Sequence, residues 1–271
     1  MPITLTGLHL YPIKSCAALS PSQAVVEPRG LAHDRRWMIV DAQGRFITGR
    51  EVPRLVLIRV EPGPHGLRLR APGMPEIIAG WPPPSAPRMS VTVWKSTVEA
   101  QLSRLDVDIW VSRFLQYDAR LVHMDARSSR PIAEPGDPSR PRAGDEVSFA
   151  DAYPLLLISQ ASLDGLNAKL QKPVPMLRFR PNLVVDGVPE HAEDGWRRMR
   201  IGGIEFELVK PCTRCGFTTV MPETGTLDPS GEPLRTLAQY RRREKGVIFG
   251  QNVIARGAGR LRVGDQVEVI A

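Results

Sequence analysis

The chain has 271 residues, 42% hydrophobic and 24% charged, a globular composition that excludes a wholly disordered chain or a coiled coil. Three cysteines exclude a disulfide-stapled secreted scaffold, and they are too few to hold a four-cysteine iron–sulfur cluster. The net charge is +7, but the arginines are scattered among acids, Arg241-Arg242-Arg243 is the longest basic run and aromatics make up 6%, so a solvated surface is expected rather than a nucleic-acid partner.

Taken in chain order, short alternating runs dominate. Residues 5–10, 37–40, 46–48, 55–60, 67–70 and 90–94 are predicted strands, with turn composition at 41–44 and 62–66. A helix follows over about 107–117, its apolar face carrying Val107, Ile109, Trp110 and Phe114. Residues 126–144 are rich in Pro, Arg and Ser and read as a long loop or a linker. Beyond it, residues 154–158 form a strand, and Ser159 or Ser162 caps a helix bearing Leu163, Leu166 and Leu170. Residues 182–185 are a strand, and 199–208 a hairpin turning at Gly202-Gly203. A helix capped by Ser230 is predicted from Pro233 to about Arg243, then closing strands at 247–255 and 266–270.

Many short strands and few helices predict a mainly β fold of two barrel-like units. The boundaries expected are 1–122 and 123–271. No apolar run approaches the ~18 residues of a membrane span, and the first fifteen residues show no signal-peptide pattern. A cytoplasmic protein with no membrane partner is expected.

The most conspicuous local feature is Cys212-Thr213-Arg214-Cys215. A structural zinc needs four ligands, and the five histidines are scattered without partner spacing. A thioredoxin-like pair belongs at a helix start, whereas hairpin strands surround this one. Two small residues in a turn is the plain alternative. Lys210 and Arg214 nearby suit a thiolate, the form that binds a soft metal or attacks. Lys14 and Ser15, at the end of the first strand, offer a point charge and a hydroxyl to an anion, though an ordinary exposed turn has the same pattern. Asp34-Arg35-Arg36 leads into a strand that turns one arginine inward, where it needs a partner. Arg180-Pro181-Asn182 sets a guanidinium fork and an amide before a strand, and Asp151 stands at a strand mouth, a place more often structural than catalytic.

Read in order, Y-P-I-K-S, G-L-A-H-D-R-R-W, D-A-Y-P-L-L-L-I-S, R-F-R-P-N, C-T-R-C-x-x-T-T-V, E-P-L-x-T-L and F-G-Q-N closely resemble the MOSC-domain family with its N-terminal β-barrel partner. That grouping includes the mitochondrial amidoxime-reducing component and the bacterial YcbX proteins. The resemblance covers essentially the whole chain, and the joint order of the motifs carries it. It implies an oxidoreductase holding a molybdenum cofactor (molybdenum on molybdopterin) between the two units. It makes Cys215 the protein ligand of the metal and leaves Cys212 outside that role. It implies that Lys14, Ser15 and Arg35 contact the pterin and its phosphate, that Arg180, Asn182 and Thr213 make further cofactor contacts, and that Asp151 matches an acidic residue near the metal with a catalytic part.

The reaction implied is reduction of small N-hydroxylated compounds (hydroxylamines, amidoximes, N-hydroxylated bases) to amines or amidines. YcbX proteins end in a ferredoxin-like domain and eukaryotic relatives carry a membrane anchor, features this sequence does not show. A separate electron-transfer protein, ferredoxin-like or cytochrome b5-like with its reductase, is therefore expected. The alternative is a cofactor carrier or sulfur-transfer protein without reductase activity. Ala152-Tyr153 stand where relatives have small residues, which alters the expected pocket shape.

Overall fold

A computed structural model describes residues 2–132 and 142–271. Period-two apolar patterning yields a mainly β protein of two barrel-like units, with three α-helices among the described residues. The larger sheet runs Thr4–Leu8, Leu183–Asp186, Leu155–Ser159, Gly246–Ala255, Ile204–Thr213, Arg198–Ile201 and Val267–Val269. Its two ends nearly meet. Thr4 bridges Gln266, the Leu5 N–H donates to the Asp265 carbonyl at 2.9 Å, and the Val267 N–H donates to the Ile3 carbonyl at 2.9 Å. Near-closure of this kind removes open sheet edges.

One pairing in this sheet is parallel, Leu155–Ser159 against Leu183–Asp186, and the crossover that a parallel pair requires contains the helix Gln160–Asn167. Ser159 is its cap, its hydroxyl accepting the Ser162 N–H at 3.1 Å. The hairpin of Arg198–Ile201 with Ile204–Thr213 turns at Gly202 and Gly203, both at positive φ (55° and 81°), the backbone that tight hairpin loops demand.

The second unit is built on a sheet ordered Trp37–Asp41, Ala119–His123, Ser96–Leu102 and Arg88–Val93. Trp37 and Ile39 pack with Leu55, Leu67, Trp110 and Phe114, while Met38 and Val40 pack with Val91, Val98 and Phe149. A strand buried on both faces in this way reads as a continuous apolar run. The opening strand Thr4–Leu8 lies in the larger sheet. The chain then passes into the second unit, where Ile13 bridges Trp37 and the Lys14 N–H donates to the Trp37 carbonyl at 2.8 Å. That crossing carries residues 9–16 along the seam between the units.

Several local expectations give way to tertiary context. Residues 55–57 are not extended: Pro53–Leu57 is a 3-10 helix with proline in its first turn, and the strand Arg59–Gly63 starts after it. Phe46 makes only an isolated bridge, and residues 47 and 48 belong to no strand. The helix Leu105–Leu115 buries Val107, Trp110, Val111, Phe114 and Leu115, while Ile109 is 59% exposed. The apolar stripe is therefore rotated away from Ile109. The last helix is Leu234–Tyr240, shorter than expected, and Ser230 is not its cap: the Ser230 hydroxyl donates to Asp228, and Glu232 accepts the Thr236 N–H at 3.0 Å. Arg35 lies in a turn at φ 51°, not on a strand. Of the expected loop over 126–144, residues 133–141 lie outside the described residues. No helix among the described residues is long and apolar enough to cross a membrane.

The burial of two histidines sets a pH dependence. Desolvation pulls His9 and His123 down to about 4 from 6.5. Below pH 6.5 the unfolded chain protonates these rings and the folded chain does not, so their contribution, complete above 6.5, is lost as pH falls toward 4. Asp108 works in the opposite sense, burial raising it to about 6. Two rings outweigh one carboxyl, so the thermal midpoint is expected to fall between pH 7 and 4. A flat or rising midpoint over that window contradicts this reading.

Candidate active site

A cleft of about 130 Å³ opens on the seam between the units. Five separate segments converge on it. They bring Lys14 and Ser15 from the loop after the first strand, Arg35 from the turn before Trp37–Asp41, and Asp151 from the loop before Leu155–Ser159. Arg180 and Asn182 come from just ahead of Leu183–Asp186, and Thr213 and Cys215 from the end of Ile204–Thr213 and just beyond it. All eight residues singled out from the sequence line this one cleft. A larger cavity of about 460 Å³ adjoins it and shares Arg178, Arg180 and Phe217.

Lys14 is buried, and its Nζ donates to the Phe149 carbonyl at 2.8 Å and to Asp151 Oδ1. Burial pulls the Lys14 ammonium below its ordinary range, and the Asp151 charge works against that pull. Asp151 faces the open cleft with 66% of its side chain accessible. Burial of its surroundings pushes its carboxyl up, but the charge of Lys14, hydrogen bonds from Lys14 and Trp94, and the charge of Arg35 outweigh that and hold it below the usual carboxylate range. Asp151 is therefore ionised at neutral pH. Ser15 sits at φ 67°, and its hydroxyl makes no hydrogen bond among the described residues.

Behind this pair, two guanidinium groups flank one phenol. Arg35 lies 4.4 Å and Arg180 4.0 Å from the Tyr11 ring centre. Arg35 Nη1 donates to Asp34 Oδ2 at 2.5 Å and to Asn182 Oδ1 at 3.1 Å, and its Nη2 donates to the Arg180 carbonyl at 3.3 Å. Asn182 also accepts the Leu156 N–H and donates to the His9 carbonyl, so its amide chiefly positions Arg35. Arg180 Nη1 donates to the Cys16 carbonyl at 2.8 Å, while its buried Nη2 has no partner among the described residues. Burial pulls Arg180 down to about 10, which leaves it charged at neutral pH.

The three cysteines separate cleanly. Cys16 is fully buried, and burial pushes its thiol up to about 12, so it is inert. Cys212 is half-buried and accepts from Arg214 Nη1 at 3.0 Å. Cys215 is exposed at the cleft, in extended backbone (φ −124°, ψ 178°) ahead of the short 3-10 helix Gly216–Thr219. The flanking arginine thus serves Cys212, and the thiol left open to a ligand is that of Cys215. Lys210 turns away to the Tyr153 ring, 5.4 Å from its centre. No group of three or more His, Cys, Asp or Glu comes together among the described residues.

Four contributors were not identifiable from sequence patterns. Arg130, at the start of the proline-rich stretch, donates to the Ser148 carbonyl and the Asp151 carbonyl, both at 2.8 Å, and so pins the Asp151 loop. Trp94 donates from Nε1 to Asp151 Oδ1 at 3.1 Å, and Arg50 lies 4.6 Å from its ring centre. Gly49 carries no side chain because a Cβ there would lie 2.3 Å from the Phe217 ring. None of these has a local motif; each acts through a contact from a distant segment.

Residues 3–118 match the MOSC N-terminal beta barrel domain, and residues 144–268 match the MOSC domain. Mitochondrial amidoxime-reducing component 1 of Mus musculus is 37% identical over 98% of this chain and 82% of its own length. The chain belongs to the MOSC-domain family. Mitochondrial amidoxime reducing component 2 of Rattus norvegicus is 36% identical over 97% of the chain and 82% of its length, and component 1 of Homo sapiens is 33% identical over 98% and 83%. In this MOSC-domain protein the seam cleft draws on both matched domains: Lys14, Ser15 and Arg35 lie in the first matched segment, and Asp151 through Cys215 in the second.

Proposed function

We propose that the seam cleft holds a molybdenum cofactor through Cys215, and that the protein reduces small N-hydroxylated compounds to amines or amidines with electrons from a separate protein. The observation that carries this reading is the convergence, among the described residues, of one open thiol, a set of cations and several unpartnered polar atoms on a single cleft. The relatives' names, amidoxime-reducing components, support the same chemistry.

The residues present fit such a group. Cys215 offers a thiolate to a soft metal, and metal coordination itself keeps a thiol deprotonated. Among the described residues the Ser15 hydroxyl and Arg180 Nη2 are donors without partners, suited to a phosphate or a pterin heteroatom. Lys14 and Arg35 already hold Asp151 and Asp34, so each turns its remaining N–H groups to an added anion. Asn182 keeps Arg35 in place, and Thr213 completes the wall beside Cys215.

When bound, the cofactor supplies the two-electron reduction of the N–O bond, and two electrons with two protons convert R–NH–OH to R–NH₂ and water. The protein's own part is positioning. An ionised Asp151 accepts hydrogen bonds, so it orients the N–H or O–H groups of the substrate rather than delivering a proton. Lys14, whose pKa burial lowers and which lies against that carboxylate, is the adjacent group with a proton to lend.

The chain has no G-x-G-x-x-G stretch and too few cysteines for a four-cysteine cluster. Cofactor-loaded protein is therefore expected to reduce benzamidoxime with reduced viologen but not with NADH alone. Robust NADH-driven turnover by a flavin-free preparation contradicts the separate-donor reading, and no turnover with either donor contradicts the reductase reading.

A further inference from the structure

At the mouth of the cleft, the charges and rings show an unfilled position. Lys14, Arg35, Arg178, Arg180 and Arg214 all donate to acceptors within the protein. Arg50 also lines the cleft, yet among the described residues it has no hydrogen bond or ion pair. Its guanidinium lies over the Trp94 ring, 4.6 Å from the ring centre. Trp94 is itself misplaced by the ordinary rules of burial and turn geometry. It is 43% exposed, and it occupies a hairpin turn between Arg88–Val93 and Ser96–Leu102 at φ 55°. Hairpin turns reserve positive φ for Gly, Asn or Asp. Its indole is held by Phe46, with ring centres 5.1 Å apart, and by the hydrogen bond to Asp151. A strained, accessible indole fixed to the cleft's carboxylate, with an unpaired guanidinium against it, is a built surface for a ligand.

We propose that Arg50 and Trp94 form a substrate subsite that takes a planar aromatic ring carrying an anionic substituent. The ring packs on the indole, the anion pairs with the guanidinium, and the N-hydroxylated group extends toward Asp151. Selectivity for such molecules over aliphatic ones rests on the reductase reading above and adds to it the shape and charge of the substrate.

The test compares three substrates with the cofactor-loaded protein: 4-carboxybenzamidoxime, benzamidoxime and acetamidoxime. Arg50→Ala is expected to lower kcat/KM for the carboxylated compound relative to benzamidoxime by about tenfold or more, with Arg50→Lys recovering part of the ratio. Trp94→Gly removes the ring while suiting the positive φ, so the fold survives. It is expected to lower the benzamidoxime-to-acetamidoxime ratio about five- to tenfold. A second readout needs no turnover: binding of the product 4-carboxybenzamidine, followed by calorimetry, is expected to weaken by a similar factor in Arg50→Ala. Ratios and binding equal to wild type in both variants overturn the subsite. Arg50-dependent binding without reduction of any amidoxime sustains the subsite and overturns the reductase reading instead.

Discussion

Cys215→Ser is expected to lower reduction of N-hydroxylated substrates by more than about a hundredfold, beyond the ~10–100-fold that loss of an outer partner of a metal ligand costs. The serine hydroxyl is a poor ligand for a soft metal and does not ionise near neutral pH. Cys212→Ser is the internal control. That thiol is half-buried and engaged with Arg214 at 3.0 Å, so its replacement exchanges one polar contact for another, worth roughly 0.5–1.5 kcal/mol, or about tenfold at most. Metal content separates the two variants independently of rate: molybdenum is expected to be lost from Cys215→Ser and retained in Cys212→Ser. Equal losses in both, or full activity without Cys215, refute the ligand assignment.

Arg35→Ala and Lys14→Ala are both expected to weaken cofactor retention, but only the first should strongly destabilise the fold. Each removes a charge-assisted hydrogen bond worth roughly 1.5–3 kcal/mol, which corresponds to about ten- to more than a hundredfold weaker binding. Their partners differ. Asp34 is fully buried, and without Arg35 its carboxylate keeps, among the described residues, the Tyr11 N–H at 2.8 Å. An uncompensated buried charge costs about 3–5 kcal/mol, so the unfolding free energy of Arg35→Ala should fall by an amount of that order. Asp151 is two-thirds accessible and returns to solvent when Lys14 is removed, so the stability of Lys14→Ala should change little. Pterin content per chain and denaturant midpoints measure the two effects separately. Unchanged pterin content in both variants contradicts the phosphate-side assignment. Normal content with turnover per molybdenum collapsed moves these residues to the substrate side.

What the sequence made legible follows from local rules and from motif order. Gly202-Gly203 between alternating residues could only be a tight hairpin, and Ser159 ahead of Leu163 and Leu166 marks a capped helix; both stand in the structure. The eight site residues drawn from the MOSC-type motifs are scattered from position 14 to position 215, and the fold brings them to one cleft. The misread elements are those decided by neighbours. Residues 55–58 are as apolar as a strand, yet Pro53 starts a 3-10 turn there and Leu55 and Ile58 fill the core beneath it. Ile109 fits a helical stripe but the neighbouring sheet meets the other side of the helix. Arg130, Trp94 and Arg50 belong to no motif, because what places them at the site is contact with residues distant in the chain: Arg130 and Trp94 reach Asp151, and Arg50 reaches Trp94.

The central claim is that the seam cleft around Cys215 is a molybdenum-cofactor site. Metal analysis of the purified full chain from a host that makes the cofactor, combined with release and identification of the pterin, tests it most directly. The account predicts molybdenum and molybdopterin equimolar with the chain, both depleted in Cys215→Ser. Reductase activity in a preparation free of molybdenum and pterin would contradict it.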